Sequence, residues 1–105
     1  MKEINFKKDI PKNKVIEKCD EVSKMMKSLS HPVRLKILCQ ITSSDKTVCE
    51  LAEFCEVSQS AMSQFLGRMR EEGIIDSQKK STAVYYKICN TKVLKLMKSI
   101  HKIYC

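Results

Sequence analysis

Between Thr47 and Ile75 a helical hydrophobic period starts and stops twice, the pattern of two short helices joined by a tight turn. Val48, Leu51, Ala52 and Cys55 recur at helical spacing, and Val57 and Ser58 interrupt them. Ser58 is a good N-cap, because its hydroxyl can accept from a backbone N–H that the first turn leaves unpaired. Behind it Ala61, Met62, Phe65, Leu66 and Met69 form a second apolar stripe, and Gly73 stands where a helix C-cap glycine is expected. The polar side of this second helix carries Gln59, Ser60, Ser63, Gln64 and Arg68, whose amides, hydroxyls and guanidinium suit phosphates and base edges. A plain αα-hairpin with a solvated face would show the same spacing.

The next residues separate these readings. Ile74–Gln78 and Ala83–Ile88 read as strands around a polar tip of Lys79, Lys80, Ser81 and Thr82, and the second is rich in β-branched and aromatic residues. A helix-turn-helix followed at once by a hairpin with a basic tip is a winged helix-turn-helix, mainly α with a β-hairpin wing. Its second helix fits the major groove, while the wing lies beside the phosphate backbone. The expected DNA contacts are therefore Ser58, Gln59, Ser60, Ser63, Gln64 and Arg68 on the helix, with Lys79 and Lys80 on the wing.

Charge agrees with a polyanionic partner. Twenty Lys and Arg against twelve Asp and Glu leave +8 in a chain of 105 residues, and such an excess favours nucleic acid through counterion release. No apolar run reaches the ~20 residues of a membrane span and no signal peptide opens the chain, so a cytoplasmic protein with no membrane partner is expected. An enzyme needs converging acid, base or nucleophile groups. Two histidines far apart and no glycine-rich phosphate loop point away from catalysis, and no cofactor is expected. A thiol peroxidase-like activity lacks a resolving-pair motif. A sequence-blind architectural binder would bind operator and random duplex alike.

The rest of the chain organises around this motif. Residues 1–11 read as a flexible arm, and 12–105 as one DNA-binding and dimerisation domain. A first helix over about 13–28 aligns Val15, Ile16, Cys19, Val22, Met25 and Met26. Pro32 restarts the chain as a helix to about Ser43, burying Val33, Leu35, Ile37, Leu38, Cys39 and Ile41 to differing degrees. Ser43–Lys46 reads as a loop, and Thr47 with Glu50 as a capping box. After Asn90 a last helix aligns Val93, Leu96, Met97, Ile100, Ile103 and Tyr104. One winged helix reads only a half-site, so a homodimer through the first and last helices is expected.

The order of elements resembles the ArsR family of bacterial winged-helix repressors. So do Leu29–Leu38, the Leu51-Ala52 pair, Ser58–Gln64, Leu66, Arg70–Gly73 and Val84–Tyr86. The likeness runs from about residue 15 to the end and is nearest to the family's persulfide- and sulfide-responsive branch, through Ile37-Leu38-Cys39 and the ending Ile103-Tyr104-Cys105. Two positions depart from the family pattern. Phe65 stands where a histidine is usual, and Ser81 stands at about the place of the wing-tip glycine.

Six cysteines stand at 19, 39, 49, 55, 89 and 105, with no Cys-x-x-Cys pair. The family's metal sensors offer one reading, a metal-responsive repressor using Cys49 and other thiols. Only the second cysteine of their Cys-Val-Cys motif is present, at Cys49, and Cys55 lies roughly 120° around the helix from it. Cys19 could join Cys49 only in a nonstandard site, the last helix offers His101 alone, and no metal site is expected. Cys55 and Cys89 read as core or edge residues. The resemblance to the sulfide-responsive branch implies that Cys39 and Cys105 face each other. Reactive sulfur species, as inducer, would then link them by a di- or polysulfide bridge, releasing double-stranded operator DNA. Lys36, His101 and Lys102 are placed to favour the thiolates. A constitutive DNA-binding regulator is the remaining alternative.

Overall fold

The computed structural model describes residues 12–105; the arm expected over 1–11 lies outside them. In chain order the elements are α1 (Lys12–Leu29), α2 (Pro32–Ser43), β1 (Lys46–Thr47), α3 (Val48–Cys55), α4 (Gln59–Glu71), β2 (Ile75–Lys80), β3 (Ala83–Ile88) and α5 (Thr91–Tyr104). They fall into two compact units that divide between His31 and Pro32.

The first unit is the helix α1. Lys18 and Glu21 pair across one turn at 3.3 Å. At its end Ser30 donates both its backbone N–H and its hydroxyl to the Lys27 carbonyl, at 3.3 and 2.8 Å, closing the last turn. Ile16, Val22 and Met26 are exposed along its length.

The second unit buries one apolar core. Ile37, Leu38 and Ile41 come from α2, Leu51, Ala52 and Cys55 from α3, and Met62, Leu66 and Met69 from α4. Ile75 of β2 joins them, with Val93 and Met97 of α5. Cys39 is exposed and does not share this core, contrary to the reading of its helix as burying it. At 100° per residue it lies roughly 200° around α2 from both Ile37 and Ile41, which turn inward.

Local chemistry sets the helix boundaries. At Thr47 the capping box closes: the Glu50 N–H donates to Thr47 Oγ1 at 3.2 Å, and Glu50 Oε1 accepts from the Thr47 N–H at 3.1 Å. These hydrogen bonds hold the Glu50 carboxyl below its ordinary pKa. Helix α3 ends at Glu56 in the left-handed region, φ +56°, and the Val57 N–H returns to the Ala52 carbonyl at 3.1 Å. Ser58 then caps α4 by accepting from the Ala61 N–H at 3.1 Å. Gly73, at φ +75°, turns the chain out of α4 into β2.

The sheet is antiparallel in the order β1-β3-β2. Lys46, expected in a loop, forms β1 with Thr47 and pairs with Tyr86, because the outer edge of β3 offers partners for its backbone groups. The wing is longer and its turn tighter than expected. Lys79 and Lys80 are strand residues paired with Val84 and Ala83, which leaves Ser81 and Thr82 alone at the tip. Ser81 takes φ +59°, a conformation that favours glycine in two-residue hairpins.

Candidate nucleic-acid interface

Helix α4 buries Met62, Leu66 and Met69 and turns Gln59, Ser60, Ser63, Gln64 and Arg68 outward; Ser58 at its N-cap is exposed as well. Three different fates divide these side chains. The Ser58 hydroxyl holds the helix start. Gln59 donates its amide to Cys49 Sγ at 3.2 Å, so the first residue of α4 is tied back to the first turn of α3. Ser60, Ser63, Gln64 and Arg68 make no side-chain hydrogen bond or ion pair among the described residues.

Lys79 and Lys80 are both exposed on β2, but they are not equivalent. Lys80 Nζ stands 3.6 Å from Asp45 Oδ2 and 5.7 Å from the centroid of the Tyr85 ring. An exposed pair of this kind is worth about 0–1 kcal/mol, so a phosphate could displace it. Asp45 was not singled out from sequence. It sits in a short loop, and only the pairing of β1 with β3 brings that loop to the wing.

The thiols are distributed as one buried residue, Cys55, and five exposed ones, Cys19, Cys39, Cys49, Cys89 and Cys105. The Cys39 thiol is pushed above its ordinary pKa, first by partial desolvation and then by the charge of Cys105 at the end of α5. Burial also raises Cys55, and the Lys36 charge opposes that rise. Lys36 therefore acts on Cys55, and it does not turn Cys39 into the low-pKa thiol expected of it. Cys89 donates its thiol to the Gly73 carbonyl at 3.5 Å. Among the described residues no three His, Cys, Asp or Glu side chains gather as a metal site. No described helix is long and apolar enough to cross a membrane.

Comparison with known proteins agrees with this geometry. Residues 31–77 match the family described as bacterial regulatory protein, arsR family. The biofilm growth-associated repressor of Xylella fastidiosa is 32% identical over 85% of this chain and 78% of its own length. The cadmium resistance transcriptional regulatory protein CadC of Listeria innocua is 38% identical over 72% of this chain and 65% of its own. The crystal structure of the regulator HlyU from Vibrio vulnificus superposes with a TM-score of 0.83 at 29% identity, covering 89% of this chain and 97% of that one. These relatives are transcription regulators, not enzymes. The chain belongs to the ArsR family of bacterial regulatory proteins, and it is a winged helix-turn-helix DNA-binding regulator of transcription.

Proposed function

We propose that this protein is a homodimeric cytoplasmic repressor that leaves its operator when reactive sulfur species join Cys39 to Cys105. The observation that carries this reading is that the Cys39 thiol on α2 feels the charge of Cys105, at the end of α5, within one chain. A persulfide RSSH supplies the oxidising equivalents. One cysteine thiolate takes the outer sulfur and releases RSH; the second thiolate attacks the resulting Cys–SSH and releases hydrogen sulfide. The sum is two thiols and one RSSH going to a disulfide, RSH and hydrogen sulfide. A second RSSH, loading the other thiol first, gives the trisulfide with two RSH and one hydrogen sulfide. Kinship with the biofilm growth-associated repressor supports repression as the output.

In this reading α4 enters the major groove with Ser60, Ser63, Gln64 and Arg68 toward the bases and phosphates, Ser58 and Gln59 at its entry, and Lys79 and Lys80 beside the backbone. The exposed Ile16, Val22 and Met26 of α1, and separately Ile103 and Tyr104 of α5, each supply apolar area for a second copy to cover. A bridge that moves α2 against α5 alters the dimer and takes the recognition helices out of register with successive grooves.

The test is a persulfide titration of the reduced protein, read by intact-mass spectrometry and by affinity for an operator selected from random duplex. The parent should gain a Cys39–Cys105 link and lose operator affinity, and dithiothreitol should restore it. Cys39→Ser and Cys105→Ser should bind DNA and ignore the persulfide. A response that survives in the double variant overturns the reading. The similarity to CadC favours a second reading, metal-responsive release through Cys49. Release by Cd²⁺ or Zn²⁺ that is lost in Cys49→Ser would establish it.

A further inference from the structure

Three elements are fastened together where α4 ends. Arg34, in the first turn of α2, donates Nη1 to Glu72 Oε1 at 2.9 Å and Nη2 to Glu72 Oε2 at 2.6 Å. The Arg34 side chain is 14% exposed and that of Glu72 38%, so the guanidinium end of this charge-assisted fork is shielded while its carboxylate end reaches water. Its hydrogen bonds to Glu72 raise the Arg34 pKa despite partial burial. Glu72 is the C-cap of α4: its backbone N–H donates to the Arg68 carbonyl, and the following Gly73 N–H to the Arg70 carbonyl, both at 3.0 Å. A displacement of its carboxylate is therefore transmitted to the last turn of α4. Two residues further on, the Ile74 carbonyl accepts from the N–H groups of Cys89 and Asn90, at 3.0 and 3.3 Å. Asn90 in turn caps α5 through Lys92 and Val93. Both α2 and α5 are thus anchored to the junction Glu72–Ile74.

We propose that Arg34 is a positioning residue for DNA recognition, setting the seat of α4 through its two-point grip on Glu72. A planar fork fixes an orientation that a sliding apolar contact leaves open. Resting on the thiol-bridge reading, the same grip carries the signal. α2, the junction, α5 and a Cys39–Cys105 bridge close a ring, and pulling its open end together displaces the junction that holds α4.

The test uses the full chain and two variants, Arg34→Lys, which keeps the charge and loses the fork, and Glu72→Gln, which removes one negative charge. Reduced protein is measured on operator and on random duplex, alongside its thermal midpoint. Positioning predicts that both variants lose about tenfold on operator while random-duplex affinity holds or, for Glu72→Gln, rises. Charge alone predicts that Glu72→Gln tightens on both duplexes, and that result overturns the proposal. Equal losses on both duplexes, in step with a lower midpoint, mean a structural role only and overturn it as well. If persulfide forms no bridge in the parent, the thiol reading fails, while the comparison in reduced protein still decides positioning. If the bridge forms, Arg34→Lys should bridge fully yet keep most of its operator affinity; full release in that variant overturns the relay.

Discussion

Cys39 on α2 and Cys105 at the end of α5 stand within range of each other's charge, far apart as they are in sequence. Desolvation first and Cys105 second push the Cys39 pKa above its ordinary 9.0. A raised value in the folded chain favours the protonated thiol. Its contribution to stability is fully present below the unfolded value and is lost as pH rises through the folded one. Alkylation of Cys39 by iodoacetamide, followed by peptide mass spectrometry across a pH series, should therefore have its midpoint above 9.0. Cys105→Ser removes one of the two causes and should lower that midpoint without returning it to the ordinary value. An unchanged midpoint would mean that the two thiols do not face each other.

The contact of Lys80 with Asp45 holds a cation at the edge of the wing. Asp45→Asn should release it and also remove a negative charge, tightening binding to every duplex by about 0.5–1 kcal/mol at low salt. Lys80→Ala should weaken all duplexes alike and reduce the salt slope by about one unit. In the double variant the gain from Asp45→Asn should shrink. A gain of full size there would show that Asp45 acts as a general charge and not through Lys80.

What could be read from the sequence was whatever is decided within a few residues. Thr47 with Glu50, Ser58 and Gly73 each mark a helix boundary because capping is local chemistry, and the structure places each in that role. The winged helix-turn-helix and its core stripes follow from period. Features set by contacts between distant segments were not legible in this way. Lys80 read as a free tip cation because nothing near it in sequence names Asp45 as its neighbour. Arg34 and Glu72 lay inside stretches that carried the family resemblance, yet their pairing joins α2 to the end of α4 and needs the tertiary fold. The pairing of Cys39 with Cys105 is implied by the resemblance, not by spacing. The exposure of Cys39 was within reach, since its angle around α2 already separates it from Ile37 and Ile41.

Ser81 occupies a left-handed position at φ +59°, where the family pattern has glycine. A side chain there costs roughly 1–2 kcal/mol. Glycine removes that cost but gives the unfolded chain more freedom, worth about 0.5–1 kcal/mol. Ser81→Gly should therefore raise stability by about 0.5–1 kcal/mol, seen as a higher thermal midpoint in the reduced protein. A lower midpoint would show that the serine side chain makes up for its strained backbone.

Gln59 and Gln64 look alike on a helical wheel, and the structure separates them. The Gln59 amide is engaged with Cys49 Sγ at 3.2 Å, whereas the Gln64 side chain has no partner among the described residues. An exposed amide with both donor and acceptor available can pair with an adenine edge in the major groove, a contact worth about 1–3 kcal/mol against the wrong base. Gln64→Ala should weaken operator binding by that amount and broaden the set of sequences recovered by selection, leaving random-duplex affinity unchanged. Gln59→Ala should cost less and narrow or broaden nothing, because its amide is already committed. Cys49→Ala, by freeing that amide, should alter the base preference at the operator position next to the start of α4. If Gln59→Ala relaxes base preference and Gln64→Ala does not, the Cys49 contact gives way on DNA and the reading face of α4 begins one turn earlier.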